Sequence, residues 1–415
     1  MKKLFSIFIG CFLLVGLLAG CAMDSPRIKG YKDVVPEDYG LSSKKLYQLS
    51  ENLQTDVSNE IIPGAVALIA KKKKIVYFEN FGMQVKAKGI PMARNSIFRI
   101  YSMTKPIVGV AILLLHEKGK LDISDPVSKY LPEFRNMKVG IIEDGKIKDT
   151  VPVQREITIK DLLMHTSGLT YGVFGSSPIK DMYLDAEIDS RNQTLKVMTK
   201  RLGRIPLMFQ PGIRWEYSRS FEVLGRLVEV VSGMTLDRFL ESHIFRPLGM
   251  QDTGFYVKKM NLERIAEHAE NELMDVTRRP VKLAGGGGLV STAEDYYRFV
   301  KMLLNNGALN NSRFLKEQTV KLITTDHMEK LPEWNDPKYL PGKGYGFGLS
   351  VAVRIKKSGW KEGTIGDFWW GGAAGTYFWV DPENELIAIL MIQSPERRMY
   401  YRPRFREWVY NAVTN

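Results

Sequence analysis

The sequence predicts an α/β protein of the α+β type, with an antiparallel sheet flanked by helices and a helical subdomain inserted between its strands. Three observations carry this prediction. β-Prone runs concentrate near both ends of the chain, the middle is mainly helical, and the runs are joined as hairpins instead of alternating with helices. With 415 residues, 44% of them hydrophobic, the chain is long enough for one large core.

The N-terminus has the features of a secretory signal. Its first residues are basic, residues 4–18 are apolar, and Leu18-Ala19-Gly20-Cys21 ends the run with small residues before a cysteine. This tetrad resembles the lipobox of bacterial lipoproteins, whose cysteine becomes the lipidated N-terminus after cleavage. We therefore predict a signal peptide over residues 1–20 and a membrane anchor on Cys21, with an ordinary cleaved signal peptide as the alternative.

The predicted location is that of an exported, membrane-anchored lipoprotein. Ala22 stands where aspartate signals inner-membrane retention in the resembling lipoproteins, which favours the periplasmic face of the outer membrane. Cys11 is lost with the signal peptide, so Cys21 is the only cysteine left. The exported domain therefore uses neither disulfides nor thiol chemistry.

The elements before residue 102 can be assigned from local pattern. They are a polar tether (21–36), a serine-capped helix (42 to about 53), a hairpin with a lysine-rich tip (65–70 and 75–78) and a short strand (98–100). The folded domain accordingly spans residues 37–415.

The middle of the chain is predicted to be helical. Residues 106–117 are continuously apolar and are followed by Gly119, which indicates a helix buried on most sides. Further helices, each ended by Gly or Pro signals, are predicted over 159–164, 221–231 and 236–244.

Strands return after Gly285. Residues 368–380 and 385–393 are long β-prone runs joined by a strong turn sequence, and a final helix is predicted over about 405–413. We therefore predict a sheet subdomain built from residues 37–101 and 276–415 and a helical subdomain built from residues 102–275.

The formal net charge of +13 comes from scattered lysines and arginines, and no recognised nucleic-acid-binding motif accompanies them. A solvated basic surface, suited to anionic lipid, explains this charge better than a nucleic-acid partner does. We predict no nucleic-acid binding.

The absence of two known motifs argues against two classes of active site. The chain has no Gly-x-Ser-x-Gly elbow, which argues against an α/β-hydrolase site. It has no His-Glu-x-x-His motif, and its five histidines are scattered. We predict neither a metal nor a cofactor.

The pattern Ser-x-x-Lys occurs four times, so its spacing alone decides nothing: Ser42/Lys45, Ser102/Lys105, Ser177/Lys180 and Ser358/Lys361. Only Ser102 lies where a short strand meets a long apolar helix, and Pro106 is tolerated near the first turn of that helix. The hydroxyl then lies at the positive end of the helix dipole, with Lys105 one turn behind it in an apolar setting, where it can accept the serine proton. The alternative is a helix-capping serine and a lysine that reaches solvent.

Several stretches point to one family. They are residues 102–106, 121–132, 162–169, 217–218 with 224–225, 285–289, 370–372 and 381–382. In sequence and order they resemble the β-lactamase-related serine hydrolases, a group that includes class C β-lactamases, D,D-peptidases and family VIII carboxylesterases. The resemblance runs from about residue 40 to residue 410 and implies a β-lactamase/transpeptidase-like fold.

The resemblance implies roles for three side chains. Ser102 matches the acylated nucleophile, Lys105 its general-base partner, and Tyr217 the tyrosine that relays protons to Ser102 and the leaving group. A free phenol holds its proton at neutral pH, so the cation of Lys105 is a necessary neighbour of Tyr217. His165 falls in a family motif but is interpreted as structural, because this set needs no imidazole.

The third family motif supplies the predicted oxyanion and substrate-binding residues. The resemblance implies that the backbone N–H groups of Ser102 and Ala373 bind the oxyanion. Gly371 and Gly372 are expected to let their strand approach the substrate closely, beside Trp370.

Two positions depart from the β-lactamase pattern. Arg219 stands where an asparagine holds the substrate amide, and Trp370 stands where a cation pairs with the substrate carboxylate. Both changes weaken selection for anionic β-lactams, and Trp-Gly-Gly at this point resembles the family VIII carboxylesterases.

The predicted function is that of a serine hydrolase, most like a carboxylesterase, that acts on small esters through an acyl-enzyme. The alternatives are an amide hydrolase of the β-lactamase or D,D-peptidase type and a penicillin-binding lipoprotein that does not turn over. The predicted partners are a small ester or amide and the membrane that holds the lipid on Cys21. The sequence leaves the oligomeric state open.

Overall fold

The computed structural model describes residues 34–310, 312–329, 331, 339–357 and 362–414. The predicted signal peptide, Cys21 and most of the tether lie outside these residues. Within the described ranges, no helix is both long enough and apolar enough to cross a membrane.

In chain order the strands of the described residues are β1 (Gly64–Lys71), β2 (Lys74–Val85), β3 (Ile90–Pro91), β4 (Phe98–Arg99), β5 (Lys138–Glu143), β6 (Lys146–Pro152), β7 (Val290–Ser291), β8 (Ala308–Leu309), β9 (Ser312–Arg313), β10 (Tyr345–Phe347), β11 (Ala352–Arg354), β12 (Phe368–Gly371), β13 (Tyr377–Asp381) and β14 (Leu386–Met391). Eight of these strands form one antiparallel sheet, in the order β10-β11-β12-β13-β14-β1-β2-β3. Every residue of β1 and β14 is buried, so the sheet is covered on both faces.

Helices cover this sheet and fill the middle of the chain. They are α1 (Ser43–Ser58), α2 (Thr104–Glu117), α3 (Ile159–Met164), α4 (Pro178–Asp185), α5 (Leu195–Leu202), α6 (Ser220–Ser232), α7 (Leu236–Leu240), α8 (Arg246–Leu248), α9 (Ala293–Leu304), α10 (Glu317–Thr324) and α11 (Arg398–Ala412). The terminal helices α1 and α11 pack on each other, α9 packs on β14 and β1, and α2 packs on α6. Ser102 lies just before α2, so the contact between α2 and α6 brings the helical region next to Ser102.

The predicted fold class is confirmed. The hairpin expected near residues 65–78 is β1 and β2. The short run before Ser102 is β4, which pairs with β7, and the apolar run after it is α2. The side chain of Ser42 caps α1 by accepting a hydrogen bond from the Lys45 amide. The division into two subdomains stays a prediction.

Three elements differ from expectation. The run 368–380 is not one strand but two, because the chain turns back over residues 372–376, where Gly375 has a φ of 102°. The hairpin β5–β6, which was not predicted, lies inside the region expected to hold mainly helices and loops. The last helix begins at residue 398 and continues through Pro403.

Candidate active site

Ser102 lies in a tight turn at the N-terminal end of α2. Residues Tyr101–Met103 form a single 3₁₀ turn, and Tyr101 has a φ of 43°, which is a strained conformation for a residue with a Cβ. The Met103 amide closes the turn on the Ile100 carbonyl at 3.0 Å. This turn leaves Ser102 half-buried on the wall of a pocket of roughly 560 Å³.

The amine of Lys105 lies next to the Ser102 hydroxyl. Lys105 is 1% exposed, and its Nζ lies 3.3 Å from the Ser102 Oγ. The same nitrogen donates to the Gly286 carbonyl at 2.6 Å and to the Tyr171 hydroxyl at 3.1 Å. These contacts hold the amine at the distance that proton exchange with Ser102 requires.

Tyr217 also contacts the Ser102 hydroxyl. Its hydroxyl donates to the Ser102 Oγ at 2.7 Å, and its ring centroid lies 4.6 Å from the Lys105 Nζ. A nucleophile with two proton-exchanging neighbours is the arrangement that covalent catalysis needs. The structure therefore brings the three residues predicted from the sequence into one cluster.

Tyr171 joins this cluster, although the sequence did not single it out. Its hydroxyl contacts the Lys105 Nζ, and its ring lies 5.1 Å from that of Tyr217. Burial holds the pKa of the Tyr171 phenol well above its usual value, with Tyr217 adding to the effect, so this hydroxyl keeps its proton. The sequence signal that could have identified Tyr171 is its position, two residues after the stretch 162–169 that resembles the family.

His165 supports Tyr217. It is fully buried, its Nδ1 is 2.9 Å from the Ser218 hydroxyl, and its ring centroid is 4.8 Å from that of Tyr217. Burial, followed by the charge of Lys105, holds the pKa of His165 well below its usual value. A neutral imidazole packed under the Tyr217 ring agrees with the structural interpretation.

Arg219 is held by side chains of the protein and is not among the residues that line the pocket beside Ser102. Its guanidinium pairs with Asp189 and with Glu222, and it lies 4.2 Å from the centre of the Tyr171 ring. Burial opposes its charge, yet Glu222, Tyr171 and Asp189 together hold its pKa above the usual value. Arg219 thus neutralises the buried carboxylate of Glu222 and the partly exposed carboxylate of Asp189. The sequence alone gave no sign of these partners.

Replacing Arg219 with asparagine, the residue of the β-lactamase pattern, is expected to destabilise the fold. The Glu222 side chain is 1% exposed and would lose its partner, which costs about 3 to 5 kcal/mol of unfolding free energy. Urea unfolding measures the loss. The control is Arg226→Asn on α6, the helix that carries Glu222, where the pair with Glu229 is more exposed and worth about 1 kcal/mol or less. If both variants lose the same unfolding free energy, Arg219 does not have this stabilising role.

The pocket beside Ser102 has aromatic walls, formed by Phe174, Trp215, Tyr217, Trp369 and Trp370. Trp370 is 2% exposed, and its ring lies 5.6 Å from that of Tyr217. Ala373 lies in the turn between β12 and β13 and lines the same pocket as Ser102. The two residues of the predicted oxyanion pair therefore line one pocket.

The two glycines of the third motif line the pocket, but protein atoms occupy the space left by their missing side chains. A Cβ on Gly371 would lie 2.7 Å from the Arg402 Nη2, and one on Gly372 would collide with the Thr376 hydroxyl and the Ile100 carbonyl. The expectation that these glycines let their strand approach the substrate closely stays a prediction. They allow a close approach within the protein.

The other Ser-x-x-Lys pairs take different roles. Ser42 and Ser177 are helix caps, whose side chains accept hydrogen bonds from the amides of Lys45 and Lys180. The pair Ser358/Lys361 lies outside the described residues. Spacing alone was therefore no guide to the site.

Comparison with known proteins places the chain in a family. The Beta-lactamase family model matches residues 49–408. Protein Rv1367c of Mycobacterium tuberculosis (strain ATCC 25618 / H37Rv) is 35% identical over 350 residues, which cover 80% of this chain and 86% of that protein. Esterase EstB of Burkholderia gladioli is 30% identical over 355 residues, which cover 79% of this chain and 85% of EstB.

A solved structure agrees with these relatives at the level of the fold. EstCE1, described as a hydrolase with promiscuous acyltransferase activity, superposes with a TM-score of 0.75 at 24% identity, over 90% of this chain and 99% of that one. The family model alone spans most of the domain that carries Ser102, Lys105 and Tyr217. The chain therefore belongs to the beta-lactamase family of serine hydrolases.

Proposed function

We propose that the protein is a carboxylesterase that hydrolyses small esters through an acyl-enzyme on Ser102. The observation that carries this proposal is the pair of contacts to the Ser102 Oγ, from the Tyr217 hydroxyl at 2.7 Å and the Lys105 amine at 3.3 Å. The similarity to an esterase, EstB, supports an ester as the substrate.

The first half of the reaction forms the acyl-enzyme. The Ser102 oxygen attacks the ester carbonyl while its proton passes to Lys105. The amides of Ser102 and Ala373 donate hydrogen bonds to the resulting oxyanion. The bond to the alcohol oxygen then breaks, and the alcohol leaves with a proton relayed through Tyr217.

The second half reverses these roles. Water attacks the carbonyl of the acyl group on Ser102 and gives a proton to the Tyr217 and Lys105 pair. The bond to the Ser102 oxygen breaks, the serine regains its proton, and the acid is released. The aromatic walls of the pocket favour an apolar acyl or alcohol group beside the reacting carbonyl.

The test compares p-nitrophenyl butyrate with nitrocefin on a soluble form that begins after Cys21. We expect the ester to be turned over with the higher kcat/KM. Faster hydrolysis of nitrocefin would make the protein an amide hydrolase of the β-lactamase type. Labelling by a penicillin without turnover of either substrate would make it a penicillin-binding protein.

We further propose that lipid on Cys21 holds this domain at the periplasmic face of the outer membrane. The support is the tetrad that ends in Cys21, preceded by an apolar run. Cys21→Ser is expected to abolish palmitate incorporation and leave the signal peptide uncleaved. Equal labelling of the variant and the wild type would refute the anchor.

A further inference from the structure

The pocket that contains Ser102 is lined by three cationic side chains, Lys180, Arg398 and Arg402. Arg402 lies on α11 and is 6% exposed. Its Nη2 donates to the Gly372 carbonyl at 3.2 Å, and its Nη1 lies 3.8 Å from the Met399 sulfur. Its Nε is buried and has no hydrogen-bond partner among the described residues. The guanidinium therefore retains donors for a further acceptor.

Among the described residues no carboxylate pairs with Arg402, in contrast to Arg406 on the next turn. Arg406 is fully buried and pairs with Asp367. Among the described side chains, the groups that favour the charge of Arg402 are two phenols, Tyr377 and Tyr217. Burial lowers the pKa of Arg402 to about 10, and the nearby Arg398 adds to the effect. A buried cation in this state is stabilised by an anion.

The surrounding structure holds the guanidinium at the wall of the pocket. Gly371 has no side chain, and a Cβ there would lie 2.7 to 3.0 Å from the guanidinium atoms. The Trp369 ring lies 5.8 Å from its centre. Arg402 donates to the Gly372 carbonyl, and this carbonyl belongs to the same peptide unit as the Ala373 amide. The cation is therefore separated from the proposed oxyanion donor by one peptide unit.

We propose that Arg402 binds a carboxylate of the substrate, so that the protein acts on esters that carry a negative charge apart from the scissile bond. This inference rests on the proposed ester hydrolysis at Ser102. It supplies, from α11, the cation that the β-lactamase pattern places at residue 370. The resemblance implied that such selection was weakened, whereas Arg402 restores it with a bidentate donor.

The experiment uses two pairs of esters that differ only in charge. For the acyl side these are p-nitrophenyl hydrogen glutarate and its methyl ester, and for the alcohol side 3-acetoxybenzoate and its methyl ester. In the wild type, kcat/KM should favour the charged member of one pair, which identifies the side that carries the carboxylate. Arg402→Gln should lower this preference by about ten- to a hundredfold.

Two further variants make the result specific. Arg404→Gln removes the same charge from an exposed position of α11 and should leave the preference as in the wild type. Arg402→Lys keeps a charge and should retain part of the preference, provided that circular dichroism shows it folded. If Arg402→Gln lowers kcat/KM equally for charged and neutral esters, the proposal is overturned, because Arg402 would then only hold the Gly372 carbonyl. A wild type without preference in either pair would also overturn it.

A binding measurement separates this inference from the proposed function. If no ester is hydrolysed, the proposed function fails, but the subsite can still be tested with glutarate and 3-hydroxybenzoate as ligands. At least one of them should raise the Tm of the wild type more than that of Arg402→Gln. Equal Tm shifts in both proteins would reject the subsite whatever the enzyme hydrolyses.

Discussion

Lys105→Arg is expected to lower kcat/KM for p-nitrophenyl butyrate by about a hundred- to ten-thousandfold. A guanidinium keeps its proton under all working conditions and so cannot accept the one from Ser102. The amine also occupies a closed site between the Gly286 carbonyl and the Tyr171 hydroxyl, which an arginine would not match. Steady-state kinetics on a variant shown to be folded by circular dichroism gives the result.

Two controls accompany this variant. Lys105→Met keeps much of the side-chain volume without proton chemistry and should be as inactive as the arginine variant. Lys45→Arg changes the lysine of another Ser-x-x-Lys pair, which lies exposed on α1, and should have wild-type kinetics. An arginine variant at residue 105 that keeps most of the wild-type rate would remove Lys105 from the mechanism.

Tyr217→Phe is expected to lower kcat by about a hundredfold or more while KM changes little. The substitution removes the hydroxyl that donates to the Ser102 Oγ but keeps the ring between His165, Trp215 and Trp370. Loss of proton relay is thereby separated from loss of packing. The same ester assay measures it.

Tyr171→Phe is the matched control, because its hydroxyl contacts Lys105 and its ring lies against that of Tyr217. Its loss should be clearly smaller than that of Tyr217→Phe. If the order of the two effects is reversed, Tyr171 and not Tyr217 relays the proton, and the assignment taken from the family resemblance fails.

Helices and strands could be predicted where one segment of the sequence contains the signal for its own structure. The apolar run after Ser102 gave α2, and a serine cap with spaced leucines gave α1. Two turns that were not predicted also have recognisable sequence signals. Asp144-Gly145 sits at the tip of the β5–β6 hairpin with φ values of 49° and 72°, which suits a two-residue hairpin turn. The glycines within 371–375 mark the turn after β12.

The site was predictable only in part, because its members come from distant segments. Ser102 and Lys105 follow from one helix, but Tyr217 lies 115 residues away from Ser102 and was found through the resemblance. The contacts of Arg219 with Asp189 and of Lys105 with Gly286 exist only in the folded chain. Burial of Arg402 has the same origin, since the sequence does not reveal which arginines of the basic C-terminal stretch line the pocket.

The proposed mechanism requires an acyl group on Ser102, which mass spectrometry of the trapped intermediate can locate. The protein is mixed with p-nitrophenyl butyrate, quenched in acid during turnover, digested and mapped. We predict a butyryl group on the peptide that contains Ser102, and its absence from the Ser102→Ala variant, which should also lack ester hydrolysis. A butyryl group on another residue, or undiminished hydrolysis by Ser102→Ala, would contradict the mechanism.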